Sequence, residues 1–176
     1  MKTENLERYL NSFAKQVVKE SKGILRTKKG STSLASSIRA VVSDDPNGFS
    51  VKFYMADYGT FVDKGVSGNK TKRSFTNYKG QNESSPYKYT NKQPPSGILD
   101  KWSVRKGIAP RDEKGRFIKR KSLVFLIARS IKSKGVQGIS FFSRPLGINY
   151  ENLQENLLKQ YSKDIQTYLT TFTKQK

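Results

Sequence analysis

Two of the side chains that carry most enzymatic and metal chemistry are missing: the 176 residues include no histidine and no cysteine. That removes the commonest general base and metal ligand, the thiolate nucleophiles and most zinc sites. Chemistry would have to come from 14 carboxylates together with Lys, Ser and Tyr. Asp57 and Asp63 flank Tyr58-Gly59-Thr60-Phe61. A spacing of six puts them on different faces of a helix, which suits capping or an ion pair with a local Lys better than a paired acid and base. Asp112-Glu113-Lys114 sets an acid two residues before a lysine, as in some metal-dependent nucleases. Such nucleases hold the pair on a buried strand, with another acid nearby for Mg²⁺. Here the triplet stands in a polar, Gly-containing turn. Gly65-Val66-Ser67-Gly68-Asn69-Lys70-Thr71 has Asn69 where a phosphate-binding loop needs Gly directly before Lys-Thr. No apolar strand precedes it, so it reads as a polar loop. None of the three makes a reaction centre. The expectation is a protein that is not an enzyme and uses no cofactor and no metal.

Binding chemistry is better represented. Lys and Arg total 34 against 14 acids, a net charge of +20. Residues 64–134 hold 19 basic and 4 acidic side chains, net +15. Such a concentration repels itself unless a polyanion or an acidic neighbour lies close; the plainer alternative is a solvated face kept for solubility. Within it, Arg111, Lys114, Arg116, Lys119, Arg120 and Lys121 are the candidate DNA-facing residues. Residues 70–92 mix bases with Phe75, Tyr78, Tyr87 and Tyr89. Such a mixture suits base stacking with phosphate contacts, or an arm that buries its aromatics against a neighbouring subunit. A stacking platform sits on a rigid sheet and none is legible here, so the arm is preferred.

The elements that must position these residues follow from hydrophobic periodicity. Residues 3–25 predict an amphipathic helix, with Leu6, Leu10, Phe13, Val17, Ile24 and Leu25 at helical steps and Thr3 as N-cap. Ser31-Thr32-Ser33 caps a short helical turn carrying Leu34 and Ile38. Residues 39–43 and 49–54 predict a β-hairpin around the turn signal Asp44-Asp45-Pro46-Asn47-Gly48, and residues 56–64 a short helix closed by Gly65. Residues 67–97 read as one long irregular segment, of the kind that is functional or disordered. Deleting 70–92 is expected to leave the core folded. Ser96 caps a helix over 97–105 with Ile98, Leu99 and Trp102 on one face, and residues 109–121 form a polar excursion about a β-turn at Asp112–Gly115. Residues 122–133 predict the most apolar helix, central to the core. Ile139 to Phe142 read as a short extended piece, Pro145 and Gly147 as punctuation. Asn149 caps a last helix with Leu153, Leu157, Tyr161, Ile165, Tyr168, Leu169 and Phe172 on its apolar side; residues 167–173 would also suit a strand. The sum is a single α+β domain, 1–176: a small antiparallel sheet packed with helices, long terminal helices, an extended basic insert at 67–97 and a basic hairpin at 109–121. No apolar run approaches the roughly 20 residues needed to cross a bilayer. Met1 to Asn5 lack the apolar core of a signal peptide.

Two stretches resemble a family. Ala56-Asp57-Tyr58-Gly59-Thr60-Phe61-Val62-Asp63-Lys64-Gly65 is similar to the Tyr-Ala-x-x-Val-Glu-x-Gly segment of the tail-completion, or neck, proteins of tailed bacteriophages. Gly135 to Leu146 is similar to that family's Gly-x-x-Ala-x-x-Phe-x-x-Pro segment, with Phe142 and Pro145 matching. Tyr58, Gly59, Val62, Asp63 and Gly65 carry the first match, with Gly59 standing where Ala is usual and Asp63 where Glu is usual. The basic segment 67–118 lies outside the resemblance. The resemblance implies a small α+β subunit of a homo-oligomeric head–tail connector ring, bound to portal or adaptor on one side and tail proteins on the other. It also implies dsDNA in the channel, no reaction and no membrane, in a virion assembled in the bacterial cytoplasm. The alternative is a monomeric, sequence-nonspecific nucleic-acid-binding protein using the same basic surface.

Overall fold

A computed structural model describes residues 3–29, 33–45 and 48–173. Among these, seven helices and six short strands form an α+β fold with long first and last helices. The elements run α1 (Glu4–Lys29), α2 (Ser33–Ser37), β1 (Arg39–Asp45), β2 (Gly48–Tyr54), α3 (Gly59–Lys64), β3 (Val66–Ser67), β4 (Ser74–Thr76), β5 (Asn82–Ser84), α4 (Ser96–Arg105), α5 (Arg120–Lys134), β6 (Gly135–Val136), α6 (Ser143–Tyr150) and α7 (Leu153–Thr173). The expected single domain divides into two compact units. Unit 1 comprises residues 1–59, 76–81 and 140–176; unit 2 comprises 60–75 and 82–139.

Unit 1 is organised by α1. Leu10, Phe13, Ala14, Val17 and Leu25 recur every three to four residues and are buried along one side of the helix. That side meets the β1–β2 hairpin, α2, α6 and α7. Each fully buried Leu, Val or Phe contributes about 1.5–3 kcal/mol, so this stripe is the principal source of unit 1's stability. The helix runs past the expected end at residue 25 to Lys29, with Gly23 exposed within it. The hairpin forms as expected, with Arg39 opposite Tyr54 and Val42 opposite Val51. Its alternation turns Phe53 inward, where the ring stands 6.5 Å from Phe13 and 5.3 Å from Phe142, edge to face in both cases. The expected turn residues Pro46 and Asn47, and the expected caps Ser31 and Thr32, lie outside the described residues.

The C-terminal part of unit 1 departs from expectation. Ile139 to Phe142 form no strand. Instead Ser140 takes a left-handed conformation, φ 49°, and its hydroxyl accepts the Thr76 N–H at 2.8 Å; Phe141 follows, fully buried. Pro145 and Gly147 lie inside α6 rather than breaking the chain. Pro145 is in the first turn, where no amide hydrogen is required. Asn149 does not cap α7: its side-chain amide donates to Glu20 and to the Pro145 carbonyl. Residues 167–173 are helical, not extended.

In unit 2, α4 packs on α5 through Leu99, Val124 and Ala128, joined by Ile127 and Ile131. The expectation that α5 is central holds for one side only. Phe125 and Leu126 are exposed, so α5 is amphipathic at the surface of its unit. Ile98 and Trp102 of α4 are exposed too; Leu99 and Ser103 are its inward residues. Ser96 is the first residue of α4 rather than its cap, a position taken by Pro95.

Candidate functional site

The six basic candidates all lie in unit 2 and all are exposed. Three belong to a small hairpin in which Arg111 bridges Phe117. Its turn closes through Gly115 N–H to the Asp112 carbonyl at 2.9 Å. One Asp112 carboxylate oxygen accepts the backbone N–H groups of Arg116 at 2.8 Å and Lys114 at 3.0 Å. The other accepts Arg116 Nε at 3.0 Å. The Arg116 N–H, aided by the Arg116 side chain and the Lys114 N–H, holds the Asp112 carboxyl below its usual range against partial desolvation. This acid is therefore the keystone of the hairpin's turn. Arg111 stacks over the Phe117 ring at 4.0 Å and donates to the Gly115 carbonyl. The hairpin thus presents Lys114, Arg116 and Arg111 from one ordered tip.

The other three bases, Lys119, Arg120 and Lys121, open α5 and stand over a groove of about 840 Å³. Its floor is Val124, Phe125 and Ala128, and its far side is Gln93, Ser96, Gly97 and Asp100. Asp100 is the one acid in the lining, 3.5 Å from Arg120. The first turn of α5 holds no acidic side chain, so three cations sit at the end of a helix that favours anions.

The expected arm is folded back into the molecule. Phe75 is buried, with the Lys64 ammonium 5.7 Å from its ring centroid. Tyr87 is half-buried and packs edge to face with Phe61 at 4.5 Å. The backbone of Ser67 exchanges hydrogen bonds with Tyr87 and Tyr89 at 2.8 and 2.9 Å, and Tyr89 is half-buried. Tyr78 alone of the four is exposed. It belongs to unit 1, in a turn whose Asn77 side chain accepts the N–H groups of Lys79 and Gln81. With Lys79, Arg144 and Tyr150 it lines a cleft of about 590 Å³, and its ring is 6.3 Å from that of Tyr150. Deleting 70–92 would remove Phe75 and these backbone partners, so the truncated chain is not expected to keep unit 2 folded.

The two family-like segments meet. The Ile139 N–H donates to the Val62 carbonyl at 3.1 Å. Gly65 takes φ +73°, and a Cβ on it would lie 2.4 Å from the Gly138 nitrogen. A Cβ on Gly138 would lie 2.6 Å from the Asp63 carbonyl. Two backbones therefore touch where only glycine fits. Asp63 is buried beside this contact. In unit 1, Gly59 packs under Met55 and Leu34, the Tyr58 hydroxyl shares a hydrogen bond with Ser33 at 3.0 Å, and Pro145 is buried.

α7 turns a different side inward from the one its periodicity suggests. Leu153, Asn156, Leu157, Gln160 and Asp164 form its shielded side, and α7 packs on α1. Glu155, Leu158, Ile165 and Leu169 are exposed on the other side, and Glu151 is exposed just before it. Of the expected apolar face, Leu153 and Leu157 alone turn inward among the described side chains; that of Phe172 lies outside them. Asp57 and Asp63 fall in different units. Among the described residues, no three carboxylates gather into a metal-binding group, and no helix is long and apolar enough to cross a membrane.

Compared with models of known protein families, with curated proteins and with solved structures, the chain matches none of them.

Proposed function

We propose that this chain is a non-enzymatic structural subunit of a head–tail connector ring in a tailed bacteriophage. The observation that carries the reading is the Gly65–Gly138 contact, which joins the two segments resembling neck proteins into one backbone-to-backbone seam. The surface fits the same role. Both units expose large apolar side chains: Leu158 and Leu169 in one, Ile98, Phe117 and Phe125 in the other. A ring subunit buries such residues against neighbours. Unit 2 carries 18 basic and 5 acidic side chains, net +13. Duplex DNA in the channel is a polyanion that this charge suits without base readout. Arg111, Lys114 and Arg116 at the hairpin tip are the proposed phosphate contacts.

The test is native mass spectrometry of the purified protein, together with its quantification in purified particles. A discrete oligomer and a fixed, multiple copy number per particle are expected. A protein absent from particles, monomeric, and tightly bound to DNA with a steep salt dependence would overturn the reading in favour of a nucleic-acid-binding protein.

A further inference from the structure

We infer that the basic groove of unit 2 seats α7 of a second copy of this chain, head to tail. This rests on the ring reading and names the contact that would build the ring. Three observations carry it. First, the groove has an apolar floor, Val124, Phe125 and Ala128, under a basic rim. Phosphates need cations but no apolar floor; a helix bearing both acids and aliphatic side chains needs both. Second, the outer side of α7 supplies that pattern. Glu155, Leu158 and Ile165 are exposed on α7 at steps of three and seven residues, and Glu151 is exposed in the turn just before it. Those steps put Glu155, Leu158 and Ile165 on one helical stripe, with the acids at its start and the aliphatics beyond. Glu155 is bonded to Lys159 at 2.8 Å, an exposed pair that is cheap to exchange. Third, the groove lining holds a single acid among the described residues, and that acid is already engaged. Asp100 faces Arg120, while Lys119 and Lys121 begin a helix with no acid in its first turn. Glutamates arriving there meet the bases and the positive end of the α5 dipole together. Because the two surfaces differ, the contact is heterologous, and repetition closes a ring when the rotation fits.

The test is a charge swap read by sedimentation velocity. The groove variant is Lys119→Glu with Lys121→Glu; it leaves the Arg120–Asp100 pair in place and puts acids where a helix start accepts them. The helix variant is Glu151→Lys with Glu155→Lys, on exposed positions. Each alone is expected to weaken self-association by about tenfold or more, with an unchanged circular dichroism spectrum. One chain carrying all four substitutions, or an equal mixture of the two variants, is expected to regain association, which misfolding would not permit. Two outcomes overturn the contact: association that neither variant changes, or no recovery on combination. If association is unchanged but the groove variant loses duplex DNA binding, the groove is a DNA surface. In these cases a ring seen with the wild-type chain leaves the connector reading standing. A wild-type chain that is monomeric and absent from particles overturns both.

Discussion

Asp164 closes the start of α1 from the far end of the chain: its carboxylate accepts the backbone N–H groups of Asn5 and Leu6, each at 3.0 Å, and the Asn5 side chain at 2.8 Å. The first amides of a helix have no partner within it. Thr3 serves α1 only through its carbonyl, which accepts the Glu7 N–H. The orphan donors of Asn5 and Leu6 are satisfied by Asp164 of α7. Burial raises the Asp164 carboxyl, but the Leu6 and Asn5 N–H groups, the Asn5 amide and the Arg8 charge outweigh it and hold the carboxyl below its usual range.

A carboxyl lowered by folding stabilises the folded state above its unfolded value, about 3.9 for Asp, and that stability is lost as pH falls through the folded value. Asp164→Ala is expected to cost about 2–3 kcal/mol at neutral pH, because buried donors lose a charged acceptor. Thermal melts of the wild type should fall as the pH drops below the unfolded value of about 3.9, and Asp164→Asn should flatten that part of the profile. An unchanged profile would remove this carboxylate from the account.

The glycine seam gives a paired expectation. Gly138→Ala must push a Cβ against the backbone of Asp63 and Lys64, and is expected to cost about 2 kcal/mol or more, or to prevent unit 2 from folding. Gly23→Ala meets nothing within 4 Å and removes a glycine from a helix interior, so it should stabilise the protein by about 0.5–1 kcal/mol. Denaturant melts of both variants compare the two directly.

Ser21 offers an unusual core substitution. Its hydroxyl is fully buried in α1 and has no hydrogen-bond partner among the described residues. Ser21→Ala keeps the volume and removes an unsatisfied group. It is expected to raise stability by about 1 kcal/mol, whereas most core changes lower it. Chemical denaturation at constant slope is the measurement.

The hairpin prediction concerns DNA. Replacing Lys114 and Arg116 by Gln should weaken duplex binding about equally for all sequences. It should also reduce the slope of log affinity against log salt by about 1.8. An unchanged slope would place the phosphates elsewhere on unit 2.

Much of unit 1 could be read in advance. Leu10, Phe13, Val17 and Leu25 keep the helical period over α1, and Phe49 to Tyr54 alternate as a half-buried strand should. Local patterns of this kind carry their own signal. Three things carried none. The Asp164 cap depends on residues 158 and 159 positions away, and no spacing rule connects them. The 67–97 segment looked irregular because its strands are two or three residues long and are held by backbone bonds and close glycine contacts rather than by an apolar run. Periodicity also shows that Tyr161, Ile165 and Leu169 share a helix with Leu153, but not which of them meets α1. Pro145 and Gly147 misled for the opposite reason. Their punctuating character is real on average, yet a first-turn proline costs a helix nothing. Of the candidate site, the charge and residue types of 111–121 were legible. The groove was not, because Gln93 to Asp100 reach it only through the packing of α4 on α5.

The placement of Asp164 also orders events during synthesis. α1 leaves the ribosome more than 150 residues ahead of Asp164, and its opening turn stays unsealed until that segment arrives. A nascent chain interrupted before that point holds α1 with bare amides and no α7 to cover its flank. Unit 1 is therefore completed only after every residue of unit 2 has been made, and prematurely released fragments should be quality-control substrates rather than functional copies.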